Sequence, residues 1–299
     1  MGILQNKIDF VAFVTASMAN ANGDPLNGNR PRIDYEGNGE ISDVCIKRKL
    51  RNRMQDLGEN TFVQSDDRCA DSYDSLKSRA IGELGEPKDD SFEGKREYAK
   101  NACEKWLDVR SFGQVLAFKL NKKEKKKSSD DENTKDKGCS IGIRGPVSIH
   151  QAVSVDPIEV HSMQITKSVN GEPAENRSSD TMGLKHFVRF GLYKIKGSIN
   201  VQLAEKTGFT EEDAEVIKEC LKTLFENDAS SARPEGSMEV CRLYWWKHNN
   251  KSGQYSTAQV HRSVNAVLKN KDKMPDSFED YEIIENKLDG LKPEVYELC

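Results

Sequence analysis

The sequence predicts an α+β fold, because strand-like and helix-like segments alternate along the chain. The run from Ile8 to Met18 is rich in β-branched and aromatic residues, which is typical of a buried strand. Apolar residues at helical spacing follow from Val44 to Leu57, and again after Thr210, where Thr210 and Asp213 form a capping signal. The remaining strand-like segments are Pro146 to Val155, Phe187 to Leu203 and Met238 to Trp246. The order strand, helix, strands, helix, strand is that of a ferredoxin-like α+β fold.

The first predicted helix carries a concentration of positive charge. Its apolar residues recur every three or four positions and share one arc of the helix, which must face a core: Ile46, Leu50, Met54 and Leu57. Ser42 is the expected N-cap, and Asp43 an acid in the first turn. Five basic residues and no acidic ones flank the apolar arc, although the whole chain has a net charge of −4: Lys47, Arg48, Lys49, Arg51 and Arg53. A local polyanion is the natural partner of such a helix, and a solvated face without a partner is the alternative.

A loop rich in Gly, Asn and Pro precedes this helix. Residues 23–32 read Gly-Asp-Pro-Leu-Asn-Gly-Asn-Arg-Pro-Arg, so the loop offers small residues, amides and two guanidinium groups. A loop of this composition that leads into a basic helix is expected to face an anion, which favours a nucleic-acid partner over the solvated alternative.

The middle of the chain predicts an insertion, a loop and a hairpin. Residues 58–107 read as a finger insertion with a helix from about Lys95, whose buried face holds Tyr98, Ala102 and Trp106. Residues 119–139 combine a lysine run with Ser and acidic residues, which predicts a flexible basic and acidic loop. Residues 164–179 read as a thumb hairpin with Asn170 and Gly171 at its turn. We expect residues 1–57, 108–163 and 180–250 to form the main domain, and 251–299 to be an extension with an acidic tail.

Composition excludes several classes of protein. The seven cysteines include no C-x-x-C pair and follow no secretory signal, so we expect reduced thiols in a cytoplasmic protein. No apolar run approaches the ~18 residues that suggest a membrane span. The tail from Asp276 to Cys299 has eight acidic residues and two lysines, a charge of −6, so the first 275 residues carry +2. The paired tryptophans Trp245 and Trp246 are expected in the core or at an interface.

Two motifs carry a resemblance to a known family. The segment from Asp24 to Lys49 and the segment from Asp108 to Gly113 closely resemble the signature of the CRISPR-associated Cas7 backbone subunits, in particular those of subtype I-C. Weaker similarities lie at Ser140 to Val147 and at Met182 to Leu184. The resemblance runs from about Ile8 to about His248, and its motifs occur in the same order.

The resemblance implies a fold and a function. The fold is a modified ferredoxin-like, RNA-recognition-type palm with finger and thumb insertions. The function is to bind CRISPR RNA, to stack with other copies as a helical filament along that guide, and to support its pairing with target DNA in a type I Cascade complex. The implied partners are CRISPR RNA, target DNA, further copies of the chain, Cas5 and Cas8 subunits and a recruited helicase-nuclease, with no membrane and no cofactor. A subunit of this kind is not an enzyme.

The same reading names RNA-binding residues. A subunit that binds guides of varied sequence must contact RNA independently of its sequence, so phosphate contacts are expected to dominate. Thumb side chains are expected to separate bases. The candidate residues are Asn27, Asn29, Arg30, Arg32, Lys47, Arg48, Lys49, Arg51, Arg53, Arg110, Arg144, Met163, Lys167 and Met182.

Two other functions stay open at this stage. Asp24 and Asp34 lie beside the expected RNA groove, and related type III backbone subunits cut target RNA with a loop aspartate and a divalent metal. Against a nuclease, acids in such a loop more often cap turns. A stand-alone single-stranded RNA-binding protein is the third possibility. The sequence has no H-E-x-x-H spacing, no P-loop and no complete dinucleotide fingerprint, so we expect no metal and no nucleotide cofactor.

Overall fold

The computed structural model describes residues 2–87, 89–119, 138–166 and 182–299. The strands in these ranges are β1 (Ile8–Ala19), β2 (Gly23–Asp24), β3 (Arg30–Pro31), β4 (Asn38–Ile41), β5 (Gly113–Lys119), β6 (Gly138–Arg144), β7 (Val147–Ile149), β8 (Ala152–Pro157), β9 (Val160–Thr166), β10 (Met182–Ile199), β11 (Met238–Lys247), β12 (Val264–Leu268), β13 (Tyr281–Glu285) and β14 (Glu294–Glu297). The helices are α1 (Asp43–Asp56), α2 (Leu76–Leu84), α3 (Phe92–Lys105), α4 (Leu107–Phe112), α5 (Val201–Thr207), α6 (Glu211–Lys222) and α7 (Thr257–Ser263).

A central antiparallel sheet organises the chain. Its strands lie in the order β14, β11, β1, β10, β8 and β4, and β7 and β9 also pair with β10. Strand β1 confirms the strand predicted at Ile8 and lies at the centre, with Ile8 opposite both Ile199 of β10 and Lys247 of β11. Its side chains alternate between two cores, one on each face of the sheet.

Helices α1 and α6 cover the first face, where both were predicted. Ser42 caps α1 by accepting a hydrogen bond from the Cys45 amide, and Thr210 and Asp213 form a reciprocal capping box at α6. The buried side chains of the two helices fill the core between them and the sheet: Ile46, Leu50, Met54, Ala214, Ile217 and Leu221. The predicted periodicities are therefore confirmed for these residues, whereas Leu57, expected on the buried arc of α1, lies after the end of the helix and is 42% exposed.

The C-terminal extension completes the sheet and its second face. Strand β14 pairs with β11 at the sheet edge, and the β12–β13 hairpin contributes Val264, Ala266 and Tyr281 to the second core. Trp245 lies in the first core and Trp246 in the second, so the expectation that both are buried is confirmed. The acidic residues of the tail are thus carried on elements that belong to the fold.

The finger has a core of its own. Helix α3 confirms the helix predicted near Lys95, beginning at Phe92 after a Ser91 cap, and the aromatic side chains of Phe62, Tyr98 and Trp106 pack inside this third core. Strands β5 and β6 pair with each other and join the same core, although we predicted that they belong to the main domain. The third core therefore extends past residue 107.

The two ends of the finger meet at one carboxylate. Asp108 is fully buried and accepts hydrogen bonds from the amides of Phe62 at 2.6 Å and Val63 at 3.1 Å. The Leu107 amide donates to the Asn60 carbonyl at 2.9 Å. The segment of residues 58–107 thus leaves from and returns to the same point, and β5 and β6 rejoin the third core further along the chain.

One predicted element was wrong at its end. The strand expected from Phe187 to Leu203 begins earlier, at Met182, and stops at Ile199. The Asn200 side chain then accepts a hydrogen bond from the Leu203 amide and caps α5, so the residues from Val201 onward are helical. The side chain of an N-cap asparagine decides this boundary, in spite of the apolar residues that follow it.

Several predictions fall partly outside the described residues. The base of the predicted thumb hairpin is formed by β9 and the start of β10, which we call the thumb stem (Val160–Thr166 and Met182–Val188). Lys167 and the predicted turn at Asn170 and Gly171 lie outside the described ranges, as do residues 120–137 of the predicted charged loop. Among the described helices, none combines the length and the apolar character needed to cross a membrane.

Candidate nucleic-acid interface

The loop of residues 23–32, which we call the recognition loop, is held in one conformation by its own hydrogen bonds. Gly23 pairs with Pro31 and Asp24 with Arg30 in a two-strand ladder, and the Asp24 carboxylate accepts a bond from the Leu26 amide at 3.2 Å. Gly28 and Asn29 both have left-handed backbone angles, with φ of 58° and 59°. Gly and Asn tolerate that conformation best, which explains their place at the tip of the loop.

Close packing fixes the base of the recognition loop. A Cβ atom on Gly23 would lie 2.0 Å from the Asn29 side-chain oxygen, so a larger residue there would displace the Asn29 side chain. The side-chain amide of Asn20 donates to the backbone carbonyl of Asn29 at 2.7 Å, and the side-chain oxygen of Asn22 accepts a bond from the backbone amide of Ser42 at 2.9 Å. The loop is thereby tied to the start of α1.

The tip of the recognition loop is open to solvent. Leu26 is 98% exposed, and Asn27 and Asn29 are also exposed. Arg32 is half-buried and forms an ion pair with Asp24 at 3.3 Å, which leaves part of its guanidinium accessible. Exposed amides and an accessible guanidinium on a rigid backbone suit contacts with phosphate oxygens.

Arg30 joins the recognition loop to the thumb stem. Its guanidinium donates to the Ser162 hydroxyl at 2.9 Å and reaches His186 Nδ1 at 3.4 Å, while Ser162 lies 2.9 Å from the same nitrogen. Because arginine can only donate, Nδ1 of His186 acts as the acceptor in this arrangement. A cleft of about 500 Å³ lies at this junction, lined by Gly28, Gln164, Met182, Gly183, Leu184 and His186.

The thumb stem exposes apolar side chains on both of its faces. Met163 is 51% exposed and Met182 is 60% exposed. Met182 lies opposite Thr166 in the ladder, and Thr166 is three positions from Met163, so the two methionines point to opposite faces of the ribbon. Met182 shares the face of His186 and the cleft, whereas Met163 shares its face with Ile165.

Two basic residues of α1 are buried in ion pairs. Lys49 is 3% exposed, pairs with Asp228 and lies 5.4 Å from the centre of the Phe225 ring. Burial lowers the pKa of Lys49, which the neighbouring Asp228 opposes. Arg53 binds Asp56 at 2.8 Å and Glu226 at 3.1 Å. The structure thus gives these two cations carboxylate partners within the protein.

The other basic residues of α1 are half-buried and also have partners. Arg51 binds the buried Asp108 at 2.8 Å, and Lys47 pairs with Asp43 at 2.9 Å. Arg48 donates to a backbone carbonyl, that of Val63, at 3.1 Å, and burial lowers its pKa. Helix α1 therefore connects the finger to the segment after α6. Whether these residues also contact RNA stays a prediction.

The two remaining candidates differ in environment. Arg110 makes two hydrogen bonds to Asp213, at 2.9 and 2.8 Å, which link α4 to the N-terminus of α6. Burial works against its charge, but Asp213 outweighs that effect and raises the pKa of Arg110. Arg144 is exposed and lines a groove between α3 and α5. The structure does not bring either residue to the recognition loop by any contact between described residues.

Comparison with known proteins identifies the family. Residues 6–286 match the model of the family described as CRISPR-associated protein Cas7. The chain belongs to the Cas7 family. A CRISPR-associated protein Cas7 from Haloferax volcanii is 24% identical over 245 residues, which are 80% of this chain and 69% of that protein.

The chain also matches chains of solved structures at low sequence identity. A chain of a CRISPR RNA-guided surveillance complex in a pre-nicking state is 16% identical, with a TM-score of 0.47, and the match covers 90% of this chain and 84% of that one. A chain of another CRISPR RNA-guided surveillance complex is 17% identical, also with a TM-score of 0.47, covering 90% of this chain and 77% of that one.

In this Cas7-family chain, the two loop aspartates are engaged in turns. Asp34 accepts hydrogen bonds from the amides of Glu36 at 2.9 Å and Asn38 at 2.8 Å, and bonds from Asn38 lower its pKa. Asp24 caps the short turn at Leu26 and pairs with Arg32. Neither aspartate belongs to a group of three potential metal ligands within the described ranges. Their observed role is to shape the loop.

Sequence reasoning missed the residues that connect the loop to the thumb stem. Ser162 and His186 were not among the candidates, because an isolated serine or histidine on a strand carries no local signal. Leu184, which is 66% exposed beside Met182, was also missed. The one available hint was its place in the Met182 to Leu184 similarity.

Proposed function

We propose that this Cas7-family chain is the CRISPR RNA-binding backbone subunit of a type I Cascade surveillance complex, of the I-C kind, which oligomerises along the guide RNA and supports its pairing with target DNA. The observation that carries the proposal is the link through Arg30 between the rigid recognition loop and the thumb stem. The cleft beside this link is lined by Gly28 at the loop tip, the exposed amide of Gln164 and the exposed apolar side chains of Met182 and Leu184.

The fold agrees with this proposal. The four strands β11, β1, β10 and β7 are adjacent in that order, with α1 following β1 and α6 preceding β11. We assign these elements to a ferredoxin-like, RNA-recognition-type palm, in which β-α-β-β-α-β order gives such an arrangement. The finger and the thumb stem are then insertions in the palm.

We assign the direct RNA contacts first to the recognition loop. Asn27 and Asn29 lie on the exposed tip of a preformed loop, and Arg30 and Arg32 are half-buried in the same loop, so these four are the candidates for phosphate contacts. The cations of α1 contribute mainly by holding the loop and finger in place. Lys47, Lys49, Arg51 and Arg53 are already paired with carboxylates, and Arg48 donates to the Val63 carbonyl. Arg110 acts in the same structural way. Arg144 and Lys167 are retained as candidates outside the loop.

The thumb stem separates bases in this proposal. Met163 and Met182 lie on opposite faces of the ribbon, so each is available to a different nucleotide on either side of it. Phosphate contacts hold the guide, and Watson–Crick pairing with target DNA supplies sequence specificity. The subunit itself needs no catalytic group for this task.

The implied assembly is cytoplasmic and includes several copies of this chain, the guide RNA, Cas5 and Cas8 subunits and a recruited helicase-nuclease. Co-expression with a repeat-spacer transcript and the neighbouring subunits tests the assembly. We expect a discrete RNA on a denaturing gel and a particle mass that requires several copies of the chain. A nucleic-acid-free monomer would contradict the backbone function and favour a simple RNA binder or a nuclease.

A series of charge-removing substitutions tests which basic residues contact the RNA directly and which only support the loop. Each lost phosphate contact lowers the slope of log affinity against log salt by ~0.7 for single strands. We expect Arg30→Ala and Arg32→Ala each to lower the slope by about that amount. Lys47→Ala is the matched control on α1, and it should leave affinity and slope unchanged. Equal losses in all three variants would show that α1 contacts the RNA directly.

A further inference from the structure

We propose that Glu239, Cys241 and Cys299 form a binding site for a thiophilic divalent cation, with zinc as the expected metal. One carboxylate oxygen of Glu239 and the Sγ atoms of Cys241 and Cys299 all lie within 4.8 Å of one another. Around a zinc ion with ligand distances of ~2.0–2.3 Å, tetrahedral ligand atoms stand roughly 3.3–3.8 Å apart, so small side-chain rotations suffice to close the site. Among the described residues, this is the group of potential ligands that meets this spacing.

A β-bulge brings Cys241 to this position. In the pairing of β11 with β1, Arg242 lies opposite Phe13 and Val240 lies opposite Val14, so Cys241 is the extra residue between them. The alternation of β11 changes phase at this point, because Val240 and Leu243 both face the first core. Bulges re-aim a side chain, and this one turns Cys241 away from the regular pattern.

The last strand supplies the third ligand. The Leu298 amide donates to the Cys241 carbonyl at 2.9 Å, which continues the ladder between β14 and β11 beyond Glu297. Cys299 therefore lies beside the bulge. Cys241 is buried, whereas Glu239 and Cys299 are exposed, so a cation can enter from solvent. Three protein ligands leave a fourth tetrahedral position for a water molecule.

The charges around the site fit a divalent cation. Two thiolates and one carboxylate carry −3, which a divalent ion reduces to −1. Arg242 and Glu279 are further charged groups that act on Cys299, and Arg242 already pairs with Glu297 at 2.8 Å.

Metal binding at this site must release protons. Zinc binds cysteine as the thiolate, whereas a free cysteine thiol is mostly protonated at neutral pH. Each sulfur loses its proton to solvent when it binds the cation, and no oxidant or reductant takes part. Affinity should therefore rise as the pH is raised.

Cobalt(II) is the probe for this site, because it replaces zinc and absorbs light when thiolates bind it. Full-length protein, purified under reducing conditions, is titrated with cobalt alone and then with zinc. We expect one cobalt per chain, with a thiolate-to-cobalt charge-transfer band that zinc abolishes stoichiometrically. Cys299→Ser should halve the band intensity and weaken binding by at least tenfold, and Cys241→Ser should do the same if it folds.

Matched variants separate the site from other thiols. Cys69→Ser removes an exposed cysteine outside the group and should leave the titration unchanged. Glu239→Gln should weaken binding while the charge-transfer band at saturation stays. Absence of stoichiometric cobalt binding, or an equal loss in Cys69→Ser, would overturn the proposal. So would a Cys241–Cys299 disulfide that persists in reductant and is located by mass spectrometry of the digested protein, because it would replace two ligands.

Discussion

Replacing Arg110 by alanine should destabilise the fold without changing how the protein grips RNA. The Arg110 guanidinium donates twice to Asp213 and once to the Cys103 carbonyl, at 3.2 Å. Asp213 is buried and also accepts a bond from the Thr210 amide at 2.9 Å. The substitution therefore leaves a buried carboxylate with only part of its hydrogen bonding.

The magnitude follows from the burial of Asp213, whose charge the half-buried Arg110 compensates. Removing one member of a buried ion pair costs roughly 3–5 kcal/mol, because the remaining charge is uncompensated. At ~2–4 °C per kcal/mol, the midpoint of thermal unfolding should fall by on the order of 10 °C. Arg110→Lys should recover only part of this loss, since an ammonium cannot form both bonds of the fork at once.

Thermal unfolding and RNA titrations at several salt concentrations measure the two effects separately. Arg144→Ala is the matched control for stability: Arg144 is exposed, and removing it should change the free energy of unfolding by less than ~0.5 kcal/mol. The reasoning is refuted if Arg110→Ala unfolds at the wild-type temperature and its salt slope falls by ~0.7. That result would assign Arg110 to a phosphate.

Three smaller predictions concern the cap, the loop and the finger. Ser42→Ala should cost ~1 kcal/mol in urea unfolding through the lost N-cap of α1, and an unchanged midpoint would contradict it. Gly23→Ala should displace Asn29 and weaken RNA binding several-fold, with the far-ultraviolet circular dichroism retained; wild-type affinity would show that the loop conformation is unimportant. Arg79 holds the pKa of Asp71 at about 2, below its unfolded value of ~3.9, so Asp71→Asn should lower the unfolding temperature at pH above that value. The difference between Asp71→Asn and wild type should disappear as the pH falls from ~4 through ~2, and a difference that persists at the acid end would contradict the ion-pair mechanism.

Local patterns in the sequence were enough to predict the elements that form the centre of the fold. Strand β1 and helices α1 and α6 have periodicities and caps that depend only on neighbouring residues, so Ser42, Thr210 and Asp213 could be read directly. The boundary at Asn200 shows the limit of this reading. There a single cap residue outweighed an apolar run that otherwise continues the strand.

The partners of the charged residues could not be predicted in the same way. The acids that pair with Arg51, Arg110 and Lys49 lie 57, 103 and 179 residues away along the chain. The stretch from Val44 to Gln55 has five cations and no acids, so it looked free of partners in sequence, although other elements supply most of the partners. The link between Arg30 and Ser162 could not be predicted for the same reason, because the two residues are 132 positions apart in the sequence.

The buried carboxylate of Asp108 ties together the two ends of the finger, where the finger joins the rest of the chain. Because hydrogen bonds hold Phe62, Val63 and Leu107 close together, the two ends of the insertion of residues 58–107 have a fixed separation. Residues can be added or removed at exposed turns of the finger without moving the strands of the sheet. In the filament that we propose, the length of the finger can thus differ between related subunits while the spacing of subunits along the RNA stays constant.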